Sequence, residues 1–180
     1  MNIEQFSDGL QVNQTQYVKQ KLKEFGLDRE HPASCPLNPW ERLQKATVNE
    51  RQQFVALNVN YRALIGSLSY LSILTRPDIA FAVSTLSQFL EEPGIKHYTA
   101  AVQVFRYLSG TRRVGLIIKK APITSLRAFV DADWGNCQQT RRSTTGFVVM
   151  LGKHLINWKS TKQPTVSLST TEAEYKALSD

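Results

Sequence analysis

The sequence predicts an α+β fold, and three observations predict it. Apolar residues recur at helical spacing between Tyr61 and Leu108. After Gly110 the period changes, and extended runs rich in β-branched and aromatic residues follow, bounded by glycine and polar turns. The composition, 42% apolar and 21% charged over 180 residues, is that of a globular chain able to bury one modest core.

At the N-terminus, Ile3 to Phe6 and Leu10 to Val12 flank Ser7-Asp8-Gly9. Asp-Gly between short apolar runs reads as a hairpin. Asn13 is placed to cap a helix in which Tyr17, Val18, Leu22 and Phe25 share a face, and Gly26 ends it. These elements make a first segment, 1–26. Residues 27–47 hold Pro32, Pro36 and Pro39 with little periodicity, and are predicted as a linker.

A helical segment, 48–120, comes next. Tyr61, Leu64, Ile65, Leu68 and Leu71 form one stripe. Pro77 starts a second helix with Asp78 in its first turn, and Ile79, Ala82, Val83, Leu86, Phe89 and Leu90 line its face. Tyr98, Ala101, Val102, Phe105 and Leu108 make a third, closed by Ser109-Gly110. All three stripes read as core. Strands are predicted over 115–118, 126–133, 145–151 and 154–159, with Gly152-Lys153 as a tight turn between the last two. In the final segment, 121–180, the last three strands should form an antiparallel meander. Ser169-Thr170-Thr171-Glu172 matches a capping box that opens a closing helix.

Several function classes drop out. Two cysteines, Cys35 and Cys137, and three scattered histidines, His31, His97 and His154, make neither a disulfide framework nor a metal cluster. The most apolar stretch, Leu64 to Leu74, is broken by Gly66, Ser67, Ser69 and Ser72 and falls short of the roughly 20 residues a membrane span needs. No secretory signal stands at the N-terminus, so the sequence reads as intracellular, with no membrane partner.

The net charge of +7 is unevenly placed. From Pro93 to Thr171 there are twelve basic residues and only two acids, a balance of +10, against −3 elsewhere. A long, nearly acid-free interval suits a polyanion, whose phosphates it would neutralise; a solvated basic face without a partner is the alternative. Candidate contacts are Arg106, Arg112, Arg113, Lys119, Lys120, Arg141, Arg142, Lys159 and Lys162.

The two acids inside that interval are Asp131 and Asp133, two apart on a strand and so on one face. Glu174, in the first turn of the last helix, could be brought near Asp131. Converging carboxylates are what Mg²⁺ prefers, and paired ions can run phosphodiester hydrolysis. Plainer roles stand beside this one. Asp133 can end its strand in a turn, Glu172 can be the capping partner of Ser169, and Glu174 can be a favourable charge at a helix start.

Tyr61-Arg62-Ala63-Leu64-Ile65-Gly66-Ser67-Leu68-Ser69-Tyr70-Leu71 and Thr75-Arg76-Pro77-Asp78-Ile79-Ala80-Phe81-Ala82-Val83 resemble the Pol polyprotein of Ty1/copia-type retrotransposons. So do Arg106-Tyr107-Leu108-Ser109-Gly110-Thr111, Asp131-Ala132-Asp133-Trp134-Gly135 and Arg142-Ser143-Thr144-Thr145-Gly146. The run Trp158-Lys159-Ser160-Thr161-Lys162-Gln163-Pro164-Thr165-Val166 and the run Ser169-Thr170-Thr171-Glu172-Ala173-Glu174-Tyr175 complete the series, in family order and over essentially the whole chain.

The resemblance implies the end of a reverse transcriptase palm in 1–26, a thumb and connection in 48–120, and a truncated RNase H-like domain in 121–180. It implies that Asp131 and Glu174 match two metal-binding carboxylates of RNase H, and it assigns Asp133 no catalytic role. The family's Tyr-x-Asp-Asp polymerase hairpin and its third RNase H aspartate are not in this sequence, and the usual acids near Cys137-Gln138-Gln139-Thr140 are missing. The expectation is therefore a non-catalytic Pol-derived fragment without a cofactor. Mg²⁺ would bind only if missing strands completed the site, and an RNA–DNA or DNA duplex is the expected partner.

Chains similar to this part of copia Pol also occur among the secreted RxLR effectors of oomycete plant pathogens. The alternative they imply is an interaction protein secreted into the host cell nucleus or cytoplasm, where it meets host plant proteins and suppresses defence-related cell death. The sequence carries no Arg-x-Leu-Arg.

Overall fold

A computed structural model describes residues 1–38, 40, 42–120, 125–137 and 139–179. Its architecture is α+β, with two three-stranded antiparallel sheets and six helices. The chain divides into two compact units, Met1–Glu4 with Gln11–Leu116 and Gln5–Leu10 with Ile117–Asp180.

The N-terminal hairpin forms as the sequence predicts. Strand β1 (Asn2–Phe6) turns at Asp8 into β2 (Gly9–Asn13). A third strand, β3 (Gly115–Lys119), joins β2, giving the order β1-β2-β3. Nothing in the sequence pattern assigned β3 to the hairpin. Two glycines permit it: a Cβ on Gly9 would strike the Ile118 carbonyl, and one on Gly115 the Val12 carbonyl.

Helix α1 (Thr15–Glu24) ends before Gly26, whose φ of +70° suits a residue without a Cβ. Its start differs from the expected Asn13 cap. Gln14 is the cap residue and its side chain makes no capping bond, while Asn13 Oδ1 accepts from the Thr15 N–H one turn position earlier. The 27–47 stretch contains no helix or strand among its described residues. It is nevertheless part of the first unit: Leu27 is in the core and Leu37 and Leu43 pack against it.

Helix α2 (Val48–Val55) was not anticipated in the sequence pattern, because only Phe54 on it is buried and no stripe shows. The signal that marks it is a capping box. Glu50 N–H donates to Thr47 Oγ1 at 3.3 Å, and Glu50 Oε2 accepts from Thr47 N–H at 2.8 Å. Helix α3 (Tyr61–Leu74), a 3₁₀ turn (Pro77–Ile79) leading into α4 (Ala80–Ser87), and α5 (Ile95–Gly110) carry the three predicted stripes. Tyr61, Leu64, Ile65, Leu68 and Leu71 are all buried, as are Ile79, Ala82, Val83 and Leu86 and, on α5, Ala101, Phe105 and Leu108. Helix α4 stops short of Phe89 and Leu90, whose rings and branches still turn inward.

In the second unit, β4 (Leu126–Asp133), β5 (Thr144–Leu151) and β6 (His154–Lys162) form the predicted meander, order β4-β5-β6. Gly152, at φ +62°, makes the β5–β6 turn. Helix α6 (Thr170–Ser179) packs on β4 and β5. Ser169 Oγ accepts from the Glu172 N–H at 3.1 Å, as a capping residue should, but the Glu172 carboxylate reaches back one residue further than the motif requires, to the Leu168 N–H.

Candidate nucleic-acid interface

The predicted basic contacts fall in both units. In the first, Arg106 is half-buried and its Nε donates to the His31 carbonyl at 2.7 Å, a structural bond that holds the 27–47 stretch to α5. Arg112 is half-buried, its Nε shielded from solvent without a hydrogen-bond partner, and Arg113 is exposed.

The second unit carries the other six. Lys119 lies 3.7 Å from Asp8, and Lys120 Nζ donates to the Ser7 carbonyl. The Lys119 N–H meets His154 Nδ1 at 3.4 Å, so this pair sits at the β6 end that begins with His154. Arg141, Arg142 and Lys162 form another group around the turn after β4. Arg141 N–H donates to the Cys137 carbonyl at 2.7 Å, and Cys137 N–H to the Arg142 carbonyl. Arg141 holds a left-handed φ of +55°, and both arginines are exposed. Lys162, at the far end of β6, bonds the Cys137 thiol. Burial raises that thiol's pKa, but the Lys162 and Thr140 bonds outweigh it and hold it down at about 7. β6 spans nine residues, so the two basic groups stand roughly 30 Å apart along the strand. Lys159 is exposed between them.

The carboxylates are placed less closely. Asp131 and Asp133 end β4 and are exposed, and Glu174 is half-buried on α6. By strand alternation both aspartates project from the face opposite Ala132. Ala132 lies across from Thr145, and Gln163 Nε2 joins Thr145 Oγ1 to the Ala173 carbonyl of α6. Asp133 accepts from the Asn136 side-chain amide, the strand-ending role. Among the described residues no group of three His, Cys, Asp or Glu converges to hold a metal. Two carboxylates alone do not supply an octahedral Mg²⁺ shell, so no chemical step is derived through a metal.

Sequence reading missed two polar clusters. Arg76 is 1% exposed. Its Nε and Nη2 donate to Asp78 at 2.9 and 2.7 Å, its Nη1 to the Thr111 carbonyl at 3.0 Å, and its guanidinium lies over the Tyr107 ring. Tyr107 donates its hydroxyl to Asp78 at 2.9 Å. Burial alone would raise the Asp78 pKa, but the bonds and charge of Arg76 hold it below the usual carboxylate range. The visible signal was Thr75-Arg76-Pro77-Asp78, a charged pair in an otherwise apolar stretch. The second is His97, 1% exposed, stacked on Phe89 at 3.9 Å. Its Nδ1 accepts from the Gly94 N–H, which puts the proton on Nε2, facing the Gln44 carbonyl at 2.8 Å. Burial lowers its pKa. Both clusters tie loops to helices.

No family model matches the chain, and no solved structure matches it. It is similar to an uncharacterized mitochondrial protein of Arabidopsis thaliana, 39% identical over 178 residues, 99% of this chain and 72% of that one. It is also similar to the retrovirus-related Pol polyprotein from transposon RE1 of Arabidopsis thaliana, 37% identical over 96% of this chain but only 11% of the polyprotein. A third likeness is to secreted RxLR effector protein 161 of Plasmopara viticola, 44% identical over 123 residues, 68% of this chain and 87% of the effector.

Proposed function

The chain belongs to the copia-type retrotransposon Pol family, and from that premise we propose that it is a non-catalytic Pol-derived piece that binds nucleic-acid duplexes. The observation that carries the binding reading is the pair of exposed arginines, Arg141 and Arg142, beside Lys162 on the turn after β4, within an interval balanced at +10. Each phosphate contact releases condensed counterions, so affinity for an RNA–DNA hybrid or a DNA duplex falls steeply with salt. Filter binding across a salt series tests this. Replacing Arg141→Asn, which tolerates the left-handed backbone, together with Arg142→Ser should flatten the log–log slope by roughly two. An absent or salt-independent complex removes the proposal.

Under the same reading, β4, β5, β6 and α6 are the antiparallel start of an RNase H-like sheet, and Asp131 and Glu174 are two members of a larger carboxylate set. Hybrid cleavage in Mg²⁺ by the wild-type chain and by Asp131→Asn should be undetectable in both. Activity that depends on Asp131 would refute the non-catalytic reading.

The likeness to the Plasmopara viticola effector, which extends over most of that protein, favours a second reading: an interaction protein acting in host plant cells to suppress defence-related cell death. Expression in leaf tissue challenged with a cell-death elicitor distinguishes the two. Undiminished cell death eliminates this one.

A further inference from the structure

We propose that His97 is an acid-operated clasp at the start of α5, closed by the neutral ring and opened by the imidazolium. Three stretches of chain meet at this ring. Its Nδ1 accepts from the Gly94 N–H at 2.9 Å, its Nε2 faces the Gln44 carbonyl at 2.8 Å, and its face stacks on Phe89 at 3.9 Å. His97 is the third residue of α5, so it takes the place that a Glu or Gln holds in an ordinary capping box. Unlike those side chains, imidazole titrates close to neutral pH. Gly94 is buried and lies so near Ala46 that a Cβ on it would strike the Ala46 methyl. The ring therefore closes residues 44–47 and 89–94 onto one helix start.

A proton on Nδ1 breaks one side of the clasp and spares the other. It replaces an acceptor by a donor, so the Gly94 N–H loses its partner and faces another N–H. The Nε2–H bond to Gln44 is kept and becomes charge-assisted. The break thus falls between the ring and Gly94, and it frees 89–94 and the first turn of α5 from 44–47. Burial disfavours the imidazolium, and the charge of Lys96 on α5 adds to that. The Gln44 carbonyl and the charge of Glu50 on α2 favour it, and the balance lowers the His97 pKa. The Phe89 ring adds a weak attraction for a cation. Glu50 is itself held at about 2 by Lys96 and the Thr47 bonds, so it keeps its charge in mild acid. Its 2.7 Å contact with Lys96 then remains as a strap across the same junction, which keeps the opening local.

Once the clasp is open, His97 meets water and titrates as a free imidazole near about 6.5. Each pH unit below that point raises the open population by up to about tenfold, until the folded chain itself takes up the proton. Amide exchange of the whole chain, followed residue by residue and corrected for the intrinsic rate, tests this between about pH 7.5 and about pH 5.5. The opening constant of the Gly94 N–H should be level at the upper end and several-fold higher at the lower. Phe105 and Leu108, buried further along α5, should stay more strongly protected than Gly94 throughout. A Gly94 opening that does not change with pH, or one that costs as much free energy as that of Phe105, overturns the proposal. His97→Gln supplies a capping partner that does not titrate, and its Gly94 opening should be level across the range. A pH dependence that survives this substitution would also overturn the clasp, and circular dichroism checks that the variant is folded. Nitrogen-15 shifts of the wild-type ring give an independent reading. They should show the Nε2–H tautomer at neutral pH, and the Nδ1–H tautomer would remove the acceptor on which the clasp depends.

Discussion

The helical unit and the sheet unit of this chain are built on opposite economies of burial. In the first, α1 to α5 close on Leu64, Leu68, Leu71, Leu86, Val104, Phe105 and Leu108, each 1% exposed or less. In the second, the buried apolar side chains among the described residues are Ala173 and Ala177, and the rest of its buried set is polar: Ser143, Thr145, Gln163 and Ser167. Phe129, Ile156, Leu168, Tyr175 and Leu178 are meanwhile at least half exposed. Helices with wide apolar stripes can close on one another from several sides. A three-stranded sheet with one helix has a single covered face, and its interior is held by directional bonds instead. The comparison predicts that stability is concentrated in the helices and that interaction surface is concentrated on the sheet.

The strongest way to break that comparison is Phe105→Ala. The ring is fully buried and meets Phe25 edge-on at 5.4 Å. The substitution should cost about 3–5 kcal/mol and lower the urea midpoint followed by far-ultraviolet circular dichroism. Trp134 and Trp158 both lie in the sheet unit and the third tryptophan, Trp40, in the helical unit is 88% exposed, so on a Trp40→Phe background fluorescence separates the two regions. An equal loss in the fluorescence transition would show one cooperative structure and void the contrast.

Next in size is Arg76→Ala. Removing a buried guanidinium strands Asp78 and the Thr111 carbonyl and hydroxyl, and should cost roughly 3 kcal/mol. The pH dependence has a definite sign. The Asp78 pKa is lowered in the folded chain, so its contribution is fully present above the ordinary carboxylate range and is lost as pH falls through the folded value. His97, lowered by burial, acts in the same direction one range higher, near its unfolded pKa. Asp78→Asn should therefore flatten the acid limb of a stability–pH curve, and an unchanged limb would mean that the pair does not hold the helical unit together.

What was legible in the sequence follows the same division. The stripes on α3, α4 and α5 were readable because each buries side chains at helical spacing, so period and burial coincide. The strands β4, β5 and β6 were readable from β-branched runs bounded by turns. Helix α2 was not, because it buries only Phe54 and declares itself through Thr47 and Glu50 rather than through a period. The pairing of β3 with the N-terminal hairpin was hidden too, since it joins residues some hundred positions apart and rests on Gly9 and Gly115, which look like ordinary turn residues. Of the candidate site, the exposed arginines at 141 and 142 lie on one turn beside Lys162. Arg106, by contrast, is spent on the His31 carbonyl, which charge counting cannot reveal.

Gln163→Ala tests the sheet unit on its own terms. The amide is 1% exposed and donates to Thr145 Oγ1 and the Ala173 carbonyl while accepting from Ser167 Oγ at 3.0 Å. Its loss leaves three buried partners short and should cost about 1–3 kcal/mol. The fluorescence transition should shift and the helical one should not. Loss of the helical signal instead would mean that the units do not divide stability as their cores suggest.

The smallest expected effects, and the sharpest comparison, come from the two caps. Thr47→Ala and Ser169→Ala each remove one side-chain acceptor from a helix start and should each cost about 1 kcal/mol. The consequences should differ in extent. Helix α2 keeps Phe54 lodged between Tyr61 and Tyr98, and Glu50 stays bound to Lys96 at 2.7 Å, a contact that with the Thr47 bonds lowers the Glu50 pKa to about 2. Only its first turn should fray. Helix α6 is held by Ala173 and Ala177, two of the smallest side chains, with Glu172 and Lys176 paired on its exposed side. Without Ser169 the helix keeps the Gln163 bond to the Ala173 carbonyl and the Lys176 bond to the Val166 carbonyl beside those two alanines, with no large side chain lodged in a core. Amide exchange should therefore rise across all of 170–179 in Ser169→Ala but only in the first turn of α2 in Thr47→Ala. Equal local fraying in both would show that the sheet face grips its helix as firmly as the helical core does.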